Sequence, residues 1–294
     1  MDRRFLVIGS TGLLGQALMK VLKAQGKNAI GVARSYADIS LDITNENDLH
    51  DLLCSQKPDV IINTAALVDL ALCEENPDLA YKINAKPSIE LSNYASTQNI
   101  KYVYISTDHY YSNDKNNTHD EMAPLKLNNQ YAVTKQMGEG FALSDDNSLI
   151  VRTNIVGFRG QSERPTFVEW AIETLKNKEH LQLFDDFYTS SIDVRSFSKA
   201  LLELIEKDIN GIINLAGSHV TNKKDFILAL AHKLKLSTAN TETVSMLEFE
   251  HPIDRNESLG LDVSRAEKIL NRALPSLDDV IESLAAQYLE KNKI

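Results

Sequence analysis

The chain has 294 residues, enough for about two units at roughly 150 residues each. Its 43% hydrophobic and 24% charged content matches an ordinary globular protein and leaves out disorder and fibrous repeats. With 31 basic and 41 acidic residues the formal net charge is −10, which argues against a nucleic-acid surface or attraction to anionic lipid, because both need clustered cations.

In chain order, Met1-Asp2-Arg3-Arg4 precedes apolar Phe5-Leu6-Val7-Ile8. Gly9-Ser10 ends that run too early for a signal-peptide core, and a cytoplasmic location is expected. No later apolar run approaches the roughly 20 residues of a membrane span. Residues 5–8 read as a strand covered on both faces. Residues 13–22 read as a helix with Leu14, Ala17, Leu18 and Val21 on one side, 29–33 as a second strand and 49–53 as part of a short helix. A third buried strand follows at 60–62. Pro77 and Asp78 open a long helical pattern through Ala80, Ile83, Ile89 and Leu91. Residues 101–105 predict a strand, 131–143 a helix and 149–151 another strand. Strands separated by helical segments imply a parallel sheet with right-handed crossovers and helices on both faces.

The second half is less regular. Helices are expected at 167–175, 197–205 and 225–234 and a strand at 212–215, with Ser276 capping a last helix that carries acids in its first turn. Segments 111–130 and 157–166 are polar and aperiodic, as loops are. Trp170, in an apolar pattern with Phe167 and Ala171, is expected in the core. Lys223-Lys224 is too short for a nucleic-acid patch and reads as a solvated helix start. Asn116-Asn117-Thr118 matches a glycosylation acceptor, a match that is empty without a secretory signal. The division expected is 1–153 and 154–294, with chain crossings between the two allowed. Cys54 and Cys73 cannot make a disulfide framework, no paired-Cys or H-E-x-x-H spacing is present, and no metal is expected.

The strongest local signal is Gly9-Ser10-Thr11-Gly12-Leu13-Leu14-Gly15, placed between the first strand and the first helix. Small residues there let the backbone approach a pyrophosphate, and the helix start offers N–H groups and positive potential. A tight turn without ligand would look the same. Arg34 stands about 20 residues on, where an acid would bind the ribose of NAD, and suits a 2′-phosphate instead; a solvated surface arginine is the alternative. Asp42, beside Ile43, could accept from an adenine amino group or could simply cap a turn. Ala65 and Ala66, after the third strand, leave room for a cofactor over the sheet edge, or reflect close packing alone. Thr107 ends the strand at 101–105, and Tyr131 and Lys135, one turn apart, share a helix face. An ammonium near a phenol favours tyrosinate and suits proton transfer, while a hydroxyl can hold a carbonyl.

On these residues the chain resembles the extended short-chain dehydrogenase/reductase superfamily and, more narrowly, the dTDP-4-dehydrorhamnose reductase family. The resemblance spans nearly the whole chain, through the glycine turn, Leu41-Asp42-Ile43-Thr44, the segments 58–66 and 80–85, Ile105-Ser106-Thr107-Asp108, 131–135, Arg152-Thr153, Leu215-Ala216-Gly217 and Leu261-Asp262-Val263-Ser264. It implies an α/β fold, a Rossmann-type doubly wound parallel sheet with a smaller, mixed C-terminal substrate-binding unit. It implies a catalytic triad of Thr107, Tyr131 and Lys135. It assigns Gly9, Thr11, Gly12, Leu13, Leu14, Gly15, Arg34, Asp42, Ile43, Ala65, Ala66, Tyr131 and Lys135 to the cofactor. Thr107, Asp108 and Tyr131 would face the substrate, a nucleotide-linked sugar of the kind reduced in dTDP-rhamnose biosynthesis. NADPH is the cofactor expected, with NADH the alternative, and a homodimer is left open. A regulatory subunit of methionine adenosyltransferase resembles the same family, so a non-catalytic dinucleotide-binding partner is one rival reading and a nucleotide-sugar epimerase another. The chain departs from the family pattern at His109-Tyr110-Tyr111-Ser112-Asn113, at Ala132 and Val133 after the tyrosine, at Ile155, where a tryptophan is common, and in the loop 185–191.

Overall fold

Phe5, Leu6, Val7 and Ile8 are all buried and form most of β1 (Arg4–Ile8), which pairs in parallel with two neighbours at once. A strand flanked and covered in this way has no solvated face, hence the unbroken apolar run. The computed structural model describes residues 3–111, 117–161, 163–249, 253–254 and 256–291. Ser112, Asn113 and Asn116, singled out above, lie outside the described residues.

After β1 come α1 (Leu13–Ala24), β2 (Asn28–Ala33), β3 (Ile39–Ser40), α2 (Glu46–Gln56), β4 (Val60–Asn63), α3 (Leu70–Glu75), α4 (Pro77–Asn84), α5 (Pro87–Gln98), β5 (Lys101–Ile105), α6 (Gln130–Ala142) and β6 (Leu149–Arg152). With the strand Gly211–Asn214 at one edge, the sheet order is that strand, then β6, β5, β4, β1, β2 and β3. The five pairings linking β6 to β3 are parallel. This is the doubly wound order, reversing direction between β1 and β4. Right-handed crossovers on either side of that reversal put α1 on one face and the helices linking β4, β5 and β6 on the other. The long pattern from Pro77 is two helices rather than one, because Pro87, unable to donate into a preceding turn, starts α5 at its first position. The short elements β3 and α3 carry too few residues for a periodic signal. The core under the sheet gathers Leu6, Ile8, Ile61, Tyr102, Tyr104 and Ile150, with Leu49, Leu53 and Leu91 from the helices.

The chain forms two compact units. The first comprises Met1–Thr107, Leu127–Arg152 and Ser198–Ile213, the second Asp108–Lys126, Thr153–Phe197 and Asn214–Ile294. The boundary expected after residue 153 falls beside one of five crossings. The residues 198–213 join the first unit because its sheet takes its seventh strand from Gly211–Asn214. The second unit holds short two- and three-stranded pieces and, among its helices, Phe167–Lys176, Lys223–Leu234 and Leu277–Lys291. Val168, Ile172, Phe226, Leu230, Ile281 and Leu284 knit those helices together. Ser276 caps the last helix, its Oγ accepting from the Asp279 N–H at 3.3 Å. Trp170 departs from the expectation: it is 44% exposed. The helix turns Val168, Ala171, Ile172 and Leu175 inward, and position 170 lies roughly half a turn away from Val168. Among the described residues no helix is long and apolar enough to cross a membrane.

Candidate active site at the carboxyl edge of the sheet

The loops that follow β1 and β4 leave the sheet side by side at its point of reversal, which is where open parallel sheets bind ligands. Gly9 has φ +83, a backbone conformation that L side chains rarely adopt. A Cβ there would stand 2.7 Å from the Thr64 hydroxyl and 2.8 Å from the Ala65 nitrogen. The two loops are locked by Thr64, whose Oγ1 donates to the Ile8 carbonyl at 2.7 Å. Gly15 lets α1 approach the turn, since a Cβ on it would lie 2.2 Å from the Gly9 oxygen. Helix α1 starts at Leu13 with Gly12 as its cap, and no side chain caps it or places an acid in its first turn. Its opening N–H groups therefore keep their positive potential for a ligand. Between the glycines, the Ser10 hydroxyl is buried without a partner, close over Gly31, whose missing Cβ would sit 2.8 Å from it. A lining kept bare of side chains and one orphaned hydroxyl fit a bound dinucleotide pyrophosphate. Thr11, Leu13 and Leu14 sit in this same turn.

Arg34 is exposed beyond β2. Asp42 accepts from the Thr44 N–H at 2.9 Å and the Thr44 hydroxyl at 2.8 Å. These bonds hold its carboxyl below the usual range, with a smaller pull from the Arg34 guanidinium. Asp42 is thus a turn-capping residue near Arg34, and Ile43 beside it is buried. Ala65 and Ala66 are half-buried beside the glycine turn. Asp38, which sequence reading did not single out, accepts from the Gly31 N–H at 2.8 Å.

Thr107, Tyr131 and Lys135 are all buried in the first unit. Asn129 caps α6 by accepting from the Ala132 N–H at 2.9 Å, which sets Tyr131 in the first turn. Lys135, one turn on, donates from Nζ to the Ile105 carbonyl at 2.7 Å, and its ammonium lies 4.2 Å from the Tyr104 ring centre. Burial pushes this lysine down to about 7, partly opposed by the Glu139 carboxylate. Glu139 is a further turn along the same face and is held in a buried two-point pair by Arg152. Sequence reading missed this pair, for which the only signal was an acid four residues past the lysine.

Asn84 was also missed as a site residue. It is 1% exposed, accepts from the Leu67 N–H at 2.7 Å, and donates to the Leu67 carbonyl and to the Thr134 hydroxyl, both at 3.1 Å. One amide therefore ties the loop after β4 to the helix carrying Tyr131 and Lys135. A polar residue on the buried side of the Pro77 helix was the available clue.

Asp108 falls in the second unit and is buried. Asn154 donates from Nδ2 to its Oδ2 at 2.7 Å, and Ser191 donates to the Asn154 Oδ1 at 2.9 Å. Lys223 begins a helix and is half-buried. Its Nζ stands 4.3 Å from the Phe167 ring centre and 5.5 Å from that of Phe187. Burial pushes it down to about 8, against the attraction of Asp108. Two aromatic faces lie near this ammonium. Among the described residues no group of three or more His, Cys, Asp or Glu could hold a metal ion.

The profile described as RmlD substrate binding domain matches residues 3–290. The probable low-salt glycan biosynthesis reductase Agl14 of Haloferax volcanii is 28% identical, over 96% of this chain and 97% of that protein. The methionine adenosyltransferase 2 subunit beta of Bos taurus is 25% identical, over 99% of this chain and 90% of that protein. A crystal structure of a hypothetical dTDP-4-dehydrorhamnose reductase from Sulfolobus tokodaii superposes with a TM-score of 0.82. It is 31% identical and covers 94% of this chain and 98% of its own.

Proposed function

The chain belongs to the RmlD substrate binding domain family, and on that premise we propose that it is a nicotinamide-dinucleotide-dependent reductase of a nucleotide-linked 4-keto-6-deoxy sugar. The observation that carries this reading is the buried Thr107, Tyr131 and Lys135 set in the same unit as the side-chain-free turn at Gly9 and Gly15. Both named reductases above support it.

The turn at 9–15 would hold the pyrophosphate, and Ala65 and Ala66 would flank it. The dinucleotide, when bound, supplies the hydride that reduces the sugar ketone. Thr107 orients the carbonyl by donating from its hydroxyl to the oxygen. Tyr131 then gives its phenolic proton to that oxygen as negative charge develops. Lys135, whose burial lets it release a proton near neutrality, restores the proton to Tyr131 and favours the tyrosinate while it exists. Asn84 keeps the loop after β4 in register with α6. Asp108, next in the chain to Thr107, is the carboxylate we assign to a sugar hydroxyl. Arg34 supports NADPH over NADH.

The similarity to a methionine adenosyltransferase subunit makes a binding-only partner the second reading, and one experiment separates the two. Purified protein is mixed with NADPH and a panel of nucleotide-linked 4-keto-6-deoxy sugars, and the loss of NADPH absorbance is followed. Oxidation with a member of the panel is expected. Tight NADPH binding with no oxidation by any of them would overturn the reductase reading.

A further inference from the structure

The first unit carries a second constellation of reactive side chains, unrelated to the site above. His50 and Cys54 sit one turn apart on α2, and Glu90 reaches them from α5. The His50 Nδ1 lies 2.8 Å from Glu90 Oε1, and its Nε2 lies 3.4 Å from the Cys54 sulfur. An ionised carboxylate can only accept, so Nδ1 must carry a proton that it donates to Glu90. In the neutral ring this leaves Nε2 as a bare acceptor aimed at the thiol. The order nucleophile, base, orienting acid is that of an activated nucleophile.

Accessibility separates this thiol from the other one. Cys54 is exposed, whereas Cys73 is buried. Burial, reinforced by Asp69 and Glu74, pushes the Cys73 thiol up to about 11. Cys54 lies near the C-terminal end of α2, where the helix carbonyls oppose an anion. Reactivity at this position must therefore come from the imidazole and not from the helix.

We propose that Cys54, with His50 as its base and Glu90 as the group that orients the imidazole, is a site of thiol–disulfide exchange with low-molecular-weight disulfides. The Cys54 proton passes to His50 Nε2 as the sulfur attacks one sulfur of the disulfide. The Cys54–sulfur bond forms while the disulfide bond breaks, and the departing thiolate takes the proton from His50. One disulfide is consumed and one mixed disulfide is made, so electrons balance without another oxidant.

The test is reaction of the full chain with glutathione disulfide at neutral pH, with the modified residue located by peptide mass spectrometry. A single mixed disulfide on Cys54 is expected, and none on Cys73. Its rate should fall about tenfold in His50→Gln and by less in Glu90→Gln, in line with a thiol that loses its neighbouring base. Unfolding wild-type protein in urea should bring its Cys54 rate down to that of His50→Gln, because the constellation exists only in the fold. Equal rates in folded wild type and His50→Gln, or no drop in urea, would overturn the proposal, as would modification confined to Cys73.

Discussion

Arg152 and Glu139 meet inside the first unit in a two-point ion pair. Nε donates to Oε1 at 3.0 Å and Nη2 to Oε2 at 2.8 Å, and each side chain is only 3% exposed. Such a pair adds little net stability over apolar residues of like volume, but either charge left alone in the interior is expensive. Arg152→Met or Glu139→Gln should each lower unfolding stability by about 3–5 kcal/mol, while Glu139→Leu with Arg152→Met should lose far less. Urea denaturation of the three variants checks this. A double variant as unstable as the singles would mean that packing, not charge, is what the pair provides.

Tyr131→Phe removes the proton that the carbonyl oxygen needs and leaves the ring in place. Turnover of the ketosugar should fall about 10² to 10⁴-fold, the usual contribution of a general acid, with NADPH affinity unchanged. Steady-state rates and fluorescence titration read the two quantities separately. Undiminished turnover would remove Tyr131 from the mechanism.

Lys135 imposes a pH dependence on stability. Burial lowers it from 10.5 to about 7 in the folded chain, so between those values the unfolded chain binds the extra proton. Stability then rises with pH through that window. Lys135→Met, which has nothing to titrate, should show a flatter slope than wild type from pH about 7 to about 10 in matched denaturation series. Parallel slopes would mean that the lysine stays protonated in the folded protein.

Arg34 decides the cofactor if its guanidinium reaches a 2′-phosphate. A charge-assisted contact at an exposed site is worth about one decade in affinity. Arg34→Ala should weaken NADPH by about tenfold and NADH hardly at all. Dissociation constants for both cofactors, with and without the substitution, give the answer. Equal affinities in the unmodified protein would make Arg34 a solvated residue near Asp42.

Much was legible in the linear chain because several features are local. The apolar run 5–8 needs a strand with no solvated face. The glycines at 9, 12 and 15 answer to contacts within one turn and its neighbouring loop, and Tyr131 and Lys135 are aligned by helix geometry alone. The unbroken pattern after Pro77 misled because periodicity records which positions are apolar, not whether a proline between them restarts the helix.

Tertiary structure alone decided the rest. Asn84 bonds the loop after β4 to α6, Glu139 meets Arg152, and the Lys223 ammonium comes near two phenylalanine rings, each through contacts that no local spacing encodes. The same holds for the strand Gly211–Asn214, recruited to the edge of a sheet begun some two hundred residues earlier, and for Trp170, turned outward once its helix had chosen the face to bury. Side-chain period tells a segment what shape to take. Its partner is chosen by the apolar area and hydrogen bonds gained when distant segments close on one another.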